Sequence, residues 1–309
     1  DAEEFIALAM PGDFNGVVVD HYGLGYQWEQ AVKENFRFVL VLDDLANREH
    51  DCNLLVDQSI GRKAACYSSL VPQICTLLVG PKYALLRDEF TADFSGCKKQ
   101  YDILINFGGA DKDNYTEHVL GMLATCANMH KHSIKIIIGS DYPYTFGLER
   151  RVEELGLKCK LVKNPNNVAR EISECRIAIG AGGVSLLERS ALGVPSIVYA
   201  IADNQKHIST EYERQGLGAV IRKGEIGEHV KLASIIDTIL DPKMLSKKSL
   251  SNSDFVGAHG TDRVVAKLLK ELELLTEAEA TIEDAKFVYE CRYEKTDTSL
   301  YVNSSVPSY

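Results

Sequence analysis

The sequence predicts an α/β protein built from two parallel-sheet domains. Three observations lead there: short apolar runs recur along the chain, helical patterns or polar loops alternate with them, and two runs end in glycine-rich turns. The most telling stretch is residues 177–199. Ile177 to Ile179 is an apolar run suited to a buried parallel strand, and Gly180-Ala181-Gly182-Gly183 lets the backbone turn sharply. Ser185 opens a helical pattern with Leu186, Leu187 and Ala191 on its apolar face. Gly193-Val194-Pro195 ends it, and Ser196 to Ala200 resumes as a strand. A strand, glycine turn, helix unit aims backbone N–H groups and a helix N-terminus at one place, where a phosphate is well held. The same glycines also suit a plain packing turn. Glu188, one turn into the helix on its exposed side, can accept hydrogen bonds from sugar or ribose hydroxyls.

The length of 309 residues implies two domains, and 45% apolar with 25% charged residues is ordinary globular composition. A net charge of −10 without a basic stripe argues against a nucleic-acid partner. No apolar run approaches membrane-spanning length, so no membrane partner is expected. Eight scattered cysteines, with no C-x-x-C pair and no histidine at ligand spacing, read as reduced, mostly buried thiols of a cytoplasmic protein. No metal and no cofactor are implied. With Asp at position 1 and no signal peptide, the chain is expected to begin inside something larger.

Taken in order, residues 3–10 form a helix end and Pro11-Gly12-Asp13 a turn. Gly16 to Asp20 is a strand that ends in His21-Tyr22-Gly23. Trp28 to Asn35 is a short helix. Phe38 to Leu42, Asn53 to Asp57 and Thr76 to Gly80 are further strands. This first series, residues 1–97, is one domain. A polar break at Ser95 to Gln100 precedes the second, residues 101–274. There Asp102 to Asn106 is a strand, followed by Gly108-Gly109-Ala110-Asp111 and a helix over about Tyr115 to His130. Ser133 to Ile138 is a strand, Leu148 to Leu155 a helix and Lys160 to Val162 a strand. Asn164-Pro165-Asn166-Asn167 caps a helix running to about Glu174. After the central unit come helices over 206–215 and 227–240, and a helix from Asp262 to Leu274 that crosses back. Both glycine turns, 108–111 and 180–184, are expected on one edge of the sheet.

Two such turns and an acidic residue on the following helix suit a diphosphate with attached hydroxyls. Neither turn is a full G-x-G-x-x-G, so a nucleotide-sugar fits better than a dinucleotide. His21-Tyr22 is either an active-site edge or a simple strand cap. Asp43-Asp44 can bind a metal, but N-capping and ion pairing with Arg48 suit them better. Arg87 is a phosphate ligand or a structural ion-pair group. Asn204-Gln205 offers neutral hydrogen-bonding groups for a sugar or an attacking water, and His207 reads as a helix-surface residue.

As a set these residues resemble a family of UDP-sugar hydrolases, the UDP-2,4-diacetamido-2,4,6-trideoxy-β-L-altropyranose hydrolases of pseudaminic acid biosynthesis, related to the transferase that makes lipid II. The resemblance is carried by Val19-Asp-His-Tyr-Gly23 with Trp28-Glu29, Leu42-Asp-Asp-Leu-Ala-Asn-Arg48, and Leu54-Leu-Val-Asp-Gln58. It continues in Gly80-Pro-Lys-Tyr-Ala-Leu-Leu-Arg87, Asn106-Phe-Gly-Gly-Ala-Asp111, the 180–193 block and Asp203-Asn204-Gln205, covering about residues 1–270.

The resemblance implies a glycosyltransferase-B fold of two Rossmann-like domains, the first truncated at its N-terminus, with UDP held mainly by the second. Gly108, Gly109, Ala110, Asp111 and Gly182, Gly183, Val184, Ser185 would then face the diphosphate, Glu188 the ribose and Gln205 the substrate. Tyr22 and Asn204, with His21 beside them, would line the sugar and the water. The implied reaction is metal-independent hydrolysis of the anomeric C–O bond. The family's first strand and Gly-x-Gly-His-x-x-Arg-like turn, which carries its expected base, has no counterpart here, and His21 does not match that histidine. A tail over 276–309, with Glu283 to Arg292 and Asn303 to Tyr309, resembles the opening of a GNAT-type N-acetyltransferase and implies a fused acetyltransferase domain. The alternatives are a glycosyltransferase of the same fold and a non-catalytic UDP-sugar-binding module.

Overall fold

Apolar strands of four to six residues, each flanked by a helix or a turn, assemble into two separate parallel sheets in a computed structural model. It describes residues 1–9, 14–201, 205–222, 224 and 228–275. The expected turn at Pro11-Gly12-Asp13, the candidate Asn204 and the acetyltransferase-like tail at 276–309 lie outside the described residues.

In the first sheet β1 (Gly16–Val19), β2 (Phe38–Leu42), β3 (Leu54–Asp57) and β4 (Thr76–Val79) stand in sequence order, all parallel. Helices α1 (Ala2–Ala9) and α2 (Tyr26–Lys33) cover one face, where Phe5, Trp28 and Phe36 pack around Val39, Val41 and Leu55. The second sheet comprises β5 (Tyr101–Asn106), β6 (Ser133–Ile138), β7 (Lys158–Lys163), β8 (Cys175–Gly180), β9 (Ser196–Ala200) and β10 (Ala219–Arg222), in the order β10-β9-β8-β5-β6-β7. The order reverses at β5 and β8, the crevice position at which open parallel sheets bind ligands. Helices α3 (Tyr115–Ala124), α4 (Thr145–Leu155), α5 (Val168–Ser173), α6 (Val184–Ala191), α7 (Lys206–Arg214), α8 (Glu228–Ile239) and α9 (Pro242–Val256) belong to this half. The sheet is buried between two apolar clusters, centred on Ile103, Ile105 and Ile136 on one side and on Leu104, Ala178 and Val198 on the other.

The last helix, α10 (Gly260–Leu275), returns to the first sheet. Val264 and Leu268 fill its second face against Phe38, Leu40, Leu54, Val56 and Leu78. The Thr261 hydroxyl clasps the Leu86 backbone on both sides, accepting from its N–H at 3.0 Å and donating to its carbonyl at 2.8 Å. Arg263 Nη1 donates to the Lys82 carbonyl at 2.7 Å. The outgoing connection and the returning helix are thereby tied to each other.

Three elements differ from expectation. The helix predicted to reach His130 stops at Ala124, because the Thr125 hydroxyl and Cys126 thiol bond the Met122 carbonyl and Cys126 turns extended. A single 3-10 turn, Ala127–Lys131, replaces the remainder. Strand β10 and helix α9 were not anticipated. The first has only four residues, and α9 is rich in Ser and Lys, burying just Asn252 and Val256. Its start does carry a local signature, an Asp241 cap accepting from Lys243 N and Met244 N followed by Pro242. Among the described residues no helix is long and apolar enough to cross a membrane.

Leu268→Ala removes the centre of the α10 contact and should destabilise the protein by about 2–4 kcal/mol, read by urea denaturation. Amide protection should fall in the first sheet as well as in α10, since both faces of their interface lose packing.

Candidate functional site

Strands β5 and β8 are neighbours in register, with Asn106 opposite Gly180, so both glycine turns leave the same sheet edge. Gly108 and Gly183 hold φ of +90° and +95°, conformations that a side chain disfavours. Nothing lies within 4 Å of where a Cβ would stand at Gly109 or Gly183, so both backbones front open space. Gly183 is also the N-cap of α6, and no side chain caps it. An uncapped helix start beside an open, glycine-walled space offers N–H groups to an anion.

The other turn is used differently at its far end. The Asp111 carboxylate accepts from Tyr115 N at 2.9 Å and Thr116 N at 2.8 Å, capping α3. The Asp111 carboxylate is thus engaged at the start of α3, so any contact of the 108–111 turn with a diphosphate would come from backbone N–H groups.

Across from α6, the ends of β1 and β2 supply Asp20, His21, Tyr22 and Asp44 to a cleft of about 340 Å³. Gly182, Gly183, Val184, Leu187, Gln205 and His207 line the opposite wall. His21 and Tyr22 are thus brought to the glycine turn of the other domain. Gln205 heads α7, and its side-chain carbonyl oxygen is buried with no hydrogen-bond partner among the described residues. His207, expected only as a surface residue, is exposed but also rims the cleft. The His21 Nδ1 accepts from Gly23 N at 3.0 Å, which places the proton of the neutral ring on Nε2. While that bond stands, the ring presents a donor and not a base.

Glu188 departs from its expected setting. Its side chain is only 12% exposed and pairs with Arg87 Nη2 at 3.3 Å, while Arg87 Nη1 holds Glu89 at 2.7 Å. Burial raises the Glu188 pKa, and the Arg87 guanidinium opposes that rise. Of the two alternatives open for Arg87, the structure displays the ion pair.

Behind the cleft lies a buried charge network that holds the β2 loop. Asp43 pairs with Arg48 Nη1 at 2.8 Å, as expected, but no helix follows it: the expected helix N-cap is instead a loop cap on Leu45 N and Ala46 N. Tyr67 donates to Asp43 at 2.8 Å and to Asp57 at 2.9 Å, and Arg62 Nε donates to Asp57 at 2.9 Å. Burial pushes the Asp43 carboxyl up, but His50, the Ala46 N–H, Tyr67 and Arg48 outweigh it and hold it well below the usual range. His50, itself buried, meets Glu29 Oε1 at 2.7 Å. Burial pulls its pKa down, yet Asp43 and Glu29 prevail and raise it from 6.5 to about 9. Asp44 is the residue that sequence reasoning undervalued: it caps nothing and instead accepts from the Tyr22 hydroxyl at 3.0 Å. Seven cysteines are free thiols, and among the described residues no cluster of three or more His, Cys, Asp or Glu is placed for a metal.

Two parallel-sheet α/β domains facing one another across such a cleft define the glycosyltransferase-B fold. The chain shares this fold with the spinosyn rhamnosyltransferase SpnG solved with thymidine diphosphate (TM-score 0.59, 14% identity, 86% of this chain and 76% of that one). It shares it equally with MurG of Acinetobacter baumannii (TM-score 0.59, 12% identity, 87% and 77%). In sequence, the chain is similar to the UDP-2,4-diacetamido-2,4,6-trideoxy-β-L-altropyranose hydrolase of Campylobacter jejuni, 25% identical over 214 residues, 69% of this chain and 76% of the relative. It is also similar to the spore coat polysaccharide biosynthesis protein SpsG of Bacillus subtilis, 27% identical over 150 residues, 48% of this chain and 44% of the relative. The chain thus spans less than half of that second relative. No protein-family model matches the chain.

A histidine whose pKa is raised on folding stabilises fully below its unfolded value and loses that contribution as pH rises through the folded one. The folded chain should therefore lose about 2–3 kcal/mol between pH 6.5 and 9, measured by urea denaturation at stepped pH. His50→Gln should flatten that window.

Proposed function

We propose that this protein is an enzyme that hydrolyses a UDP-sugar at its anomeric C–O bond, with a 2,4-diacetamido-trideoxy sugar as the substrate class. The observation that carries the UDP-sugar part is the uncapped start of α6 behind Gly183, open to a cleft whose other wall is His21 and Tyr22. The sequence similarity to the Campylobacter jejuni hydrolase supports water as the acceptor and that sugar class.

In this reaction the diphosphate sits against the N–H groups of Gly108 to Ala110 and of Gly182 to Ser185. The oxygen of a water bonds to the anomeric carbon as the C–O bond to the diphosphate breaks, and the electron pair leaves with UDP. The water's proton is released to the solvent, so the products are the free sugar, UDP and one proton. Negative charge growing on the departing diphosphate is met by fixed backbone dipoles and by the helix start, which need no reorganisation. Tyr22 and Gln205 line the sugar and the water, and His21 Nε2–H donates to the substrate. Glu188 takes the ribose hydroxyls, sharing its carboxylate with Arg87.

A transferase using the same donor site is the second reading, favoured by the fold shared with SpnG and MurG. Incubation with the UDP-sugar in H₂¹⁸O separates the two. Hydrolysis at the anomeric carbon places one ¹⁸O in the free sugar and none in UDP. UDP release only after an acceptor alcohol is added would overturn the hydrolase assignment in favour of transfer. By calorimetry, Glu188→Ala should bind UDP at least about tenfold more weakly than the parent, a loss of about 1.4 kcal/mol. Equal affinity would remove Glu188 from the nucleotide site.

A further inference from the structure

Asp44 lines the cleft and has no part in the scheme above. Asp44 follows the buried Asp43 on the loop that leaves β2, and strands β1 and β2 run parallel in register, Val19 opposite Val41. Segments 20–22 and 43–44 therefore emerge side by side. The Tyr22 hydroxyl donates to Asp44 Oδ2 at 3.0 Å, while Asp44 Oδ1 is buried without a hydrogen-bond partner. Among the described residues no ion pair involves this carboxylate, whereas its neighbours Asp43 and Asp57 each have an arginine.

The loop carrying it is held rigidly. Arg62 Nη2 donates to the Asp44 carbonyl at 2.8 Å, and Asp43 gathers Leu45 N, Ala46 N and Arg48. Ala46 sits at φ +50°, a conformation an alanine keeps only where the surroundings impose it. A rigid mount, a vacant buried oxygen and a hydrogen bond to a half-exposed tyrosine are the features of a group that orients another.

Resting on the hydrolase reading, we infer that Asp44 is a positioning residue: its carboxylate holds the Tyr22 hydroxyl as a donor, so that the phenol oxygen turns a lone pair toward the water or sugar in the cleft. Protonated Asp44 is a weaker acceptor and can itself donate to the phenol oxygen, so the Tyr22 hydroxyl loses its single orientation. The titratable and charged groups around this carboxylate are Tyr22 and Asp20 after β1, Asp43 and Arg48 on the same loop, Asp57 at the end of β3, and Arg62 and Tyr67 after it. Burial raises the Asp44 pKa first. Tyr22 opposes the rise, and Asp43, Asp57 and Asp20 add to it. Activity should therefore fall on the acid side at a pH above the ordinary carboxylate value of about 4.

The test compares the parent chain with Asp44→Asn, Tyr22→Phe and the double variant, with kcat and KM measured across pH. Each single variant should lower kcat by about 100-fold, the scale of a lost orientation, and leave KM within about threefold. The double variant should be no slower than the slower single, because the two act as a unit. The raised acid limb should vanish in Asp44→Asn. An unchanged kcat and acid limb in Asp44→Asn, or losses that multiply in the double variant, would overturn the inference while leaving the hydrolase reading intact. A second readout does not depend on turnover. In a carboxyl ¹³C titration one aspartate should titrate above the usual range, disappear in Asp44→Asn and move further up in Tyr22→Phe, which deletes the donor to the anion. No movement in Tyr22→Phe would sink the pairing itself. A correct titration in a chain that releases no UDP from the sugar would instead sink the hydrolase reading and, with it, the catalytic use of the pair.

Discussion

The parallel pairing of β5 with β8, with Asn106 opposite Gly180, is the constraint on which the glycine-turn side of the cleft depends. Parallel neighbours end at the same edge, so any turn that follows either strand must open on the same side. Side chains on these strands are buried on both faces, and a slip of one residue would turn Ile103, Ile105, Ile177 and Ile179 out of their core. The packing of isoleucines thus sets where backbone N–H groups point. Chemistry at the edge is positioned by apolar matching several residues away.

The facing wall is built on another principle. The ends of β1 and β2 carry aspartates that repel one another, and the fold keeps them together by distributing cations and hydroxyls unevenly. Asp43 receives Arg48, Tyr67 and two backbone N–H groups, and Asp57 receives Arg62 and Tyr67. Among the described residues, Tyr22 alone donates a hydrogen bond to the Asp44 carboxylate. Neighbouring acids in unlike surroundings separate in proton affinity, the usual way in which one site obtains both a fixed charge and a titrating group. Asp43 and Asp57, each paired with an arginine, serve as scaffold, and Asp44, without one, meets Tyr22 in the cleft.

Residues 80–94 and α10 join the two walls. The Thr261 clasp on Leu86 and the Arg87–Glu188 pair both lie on this double connection, so the position of one sheet relative to the other is tied to side chains next to the glycine-turn wall. A ligand that competes with Arg87 for Glu188 acts at the joint between the domains. Burial of Glu188 strengthens that competition, because a carboxylate removed from water depends on whichever partner remains.

Much of this was legible in the amino-acid sequence for local reasons. Apolar runs such as Phe38 to Leu42 and Ser133 to Ile138 can only be strands at their length, and the glycines at 108 and 183 declare turns that need positive φ. Asp43 announced its cap and its arginine because both partners lie within five residues of it. Strand β10 escaped notice because it is only four residues long, and α9 because periodicity reports burial and it buries just Asn252 and Val256. What only the tertiary structure decided is which polar groups meet across long separations: Tyr22 with Asp44, Arg87 with Glu188, and His21 with the glycine turn of the other domain. Asp111 and Glu188 show the same limit, since a carboxylate's spacing says nothing about which donor reaches it first. Sequence by itself determined the strands, turns and two-sheet class through short-range sterics and apolar patterning. The protonation and orientation of the cleft's acids came from through-space charge and burial, which exist only once the chain is folded.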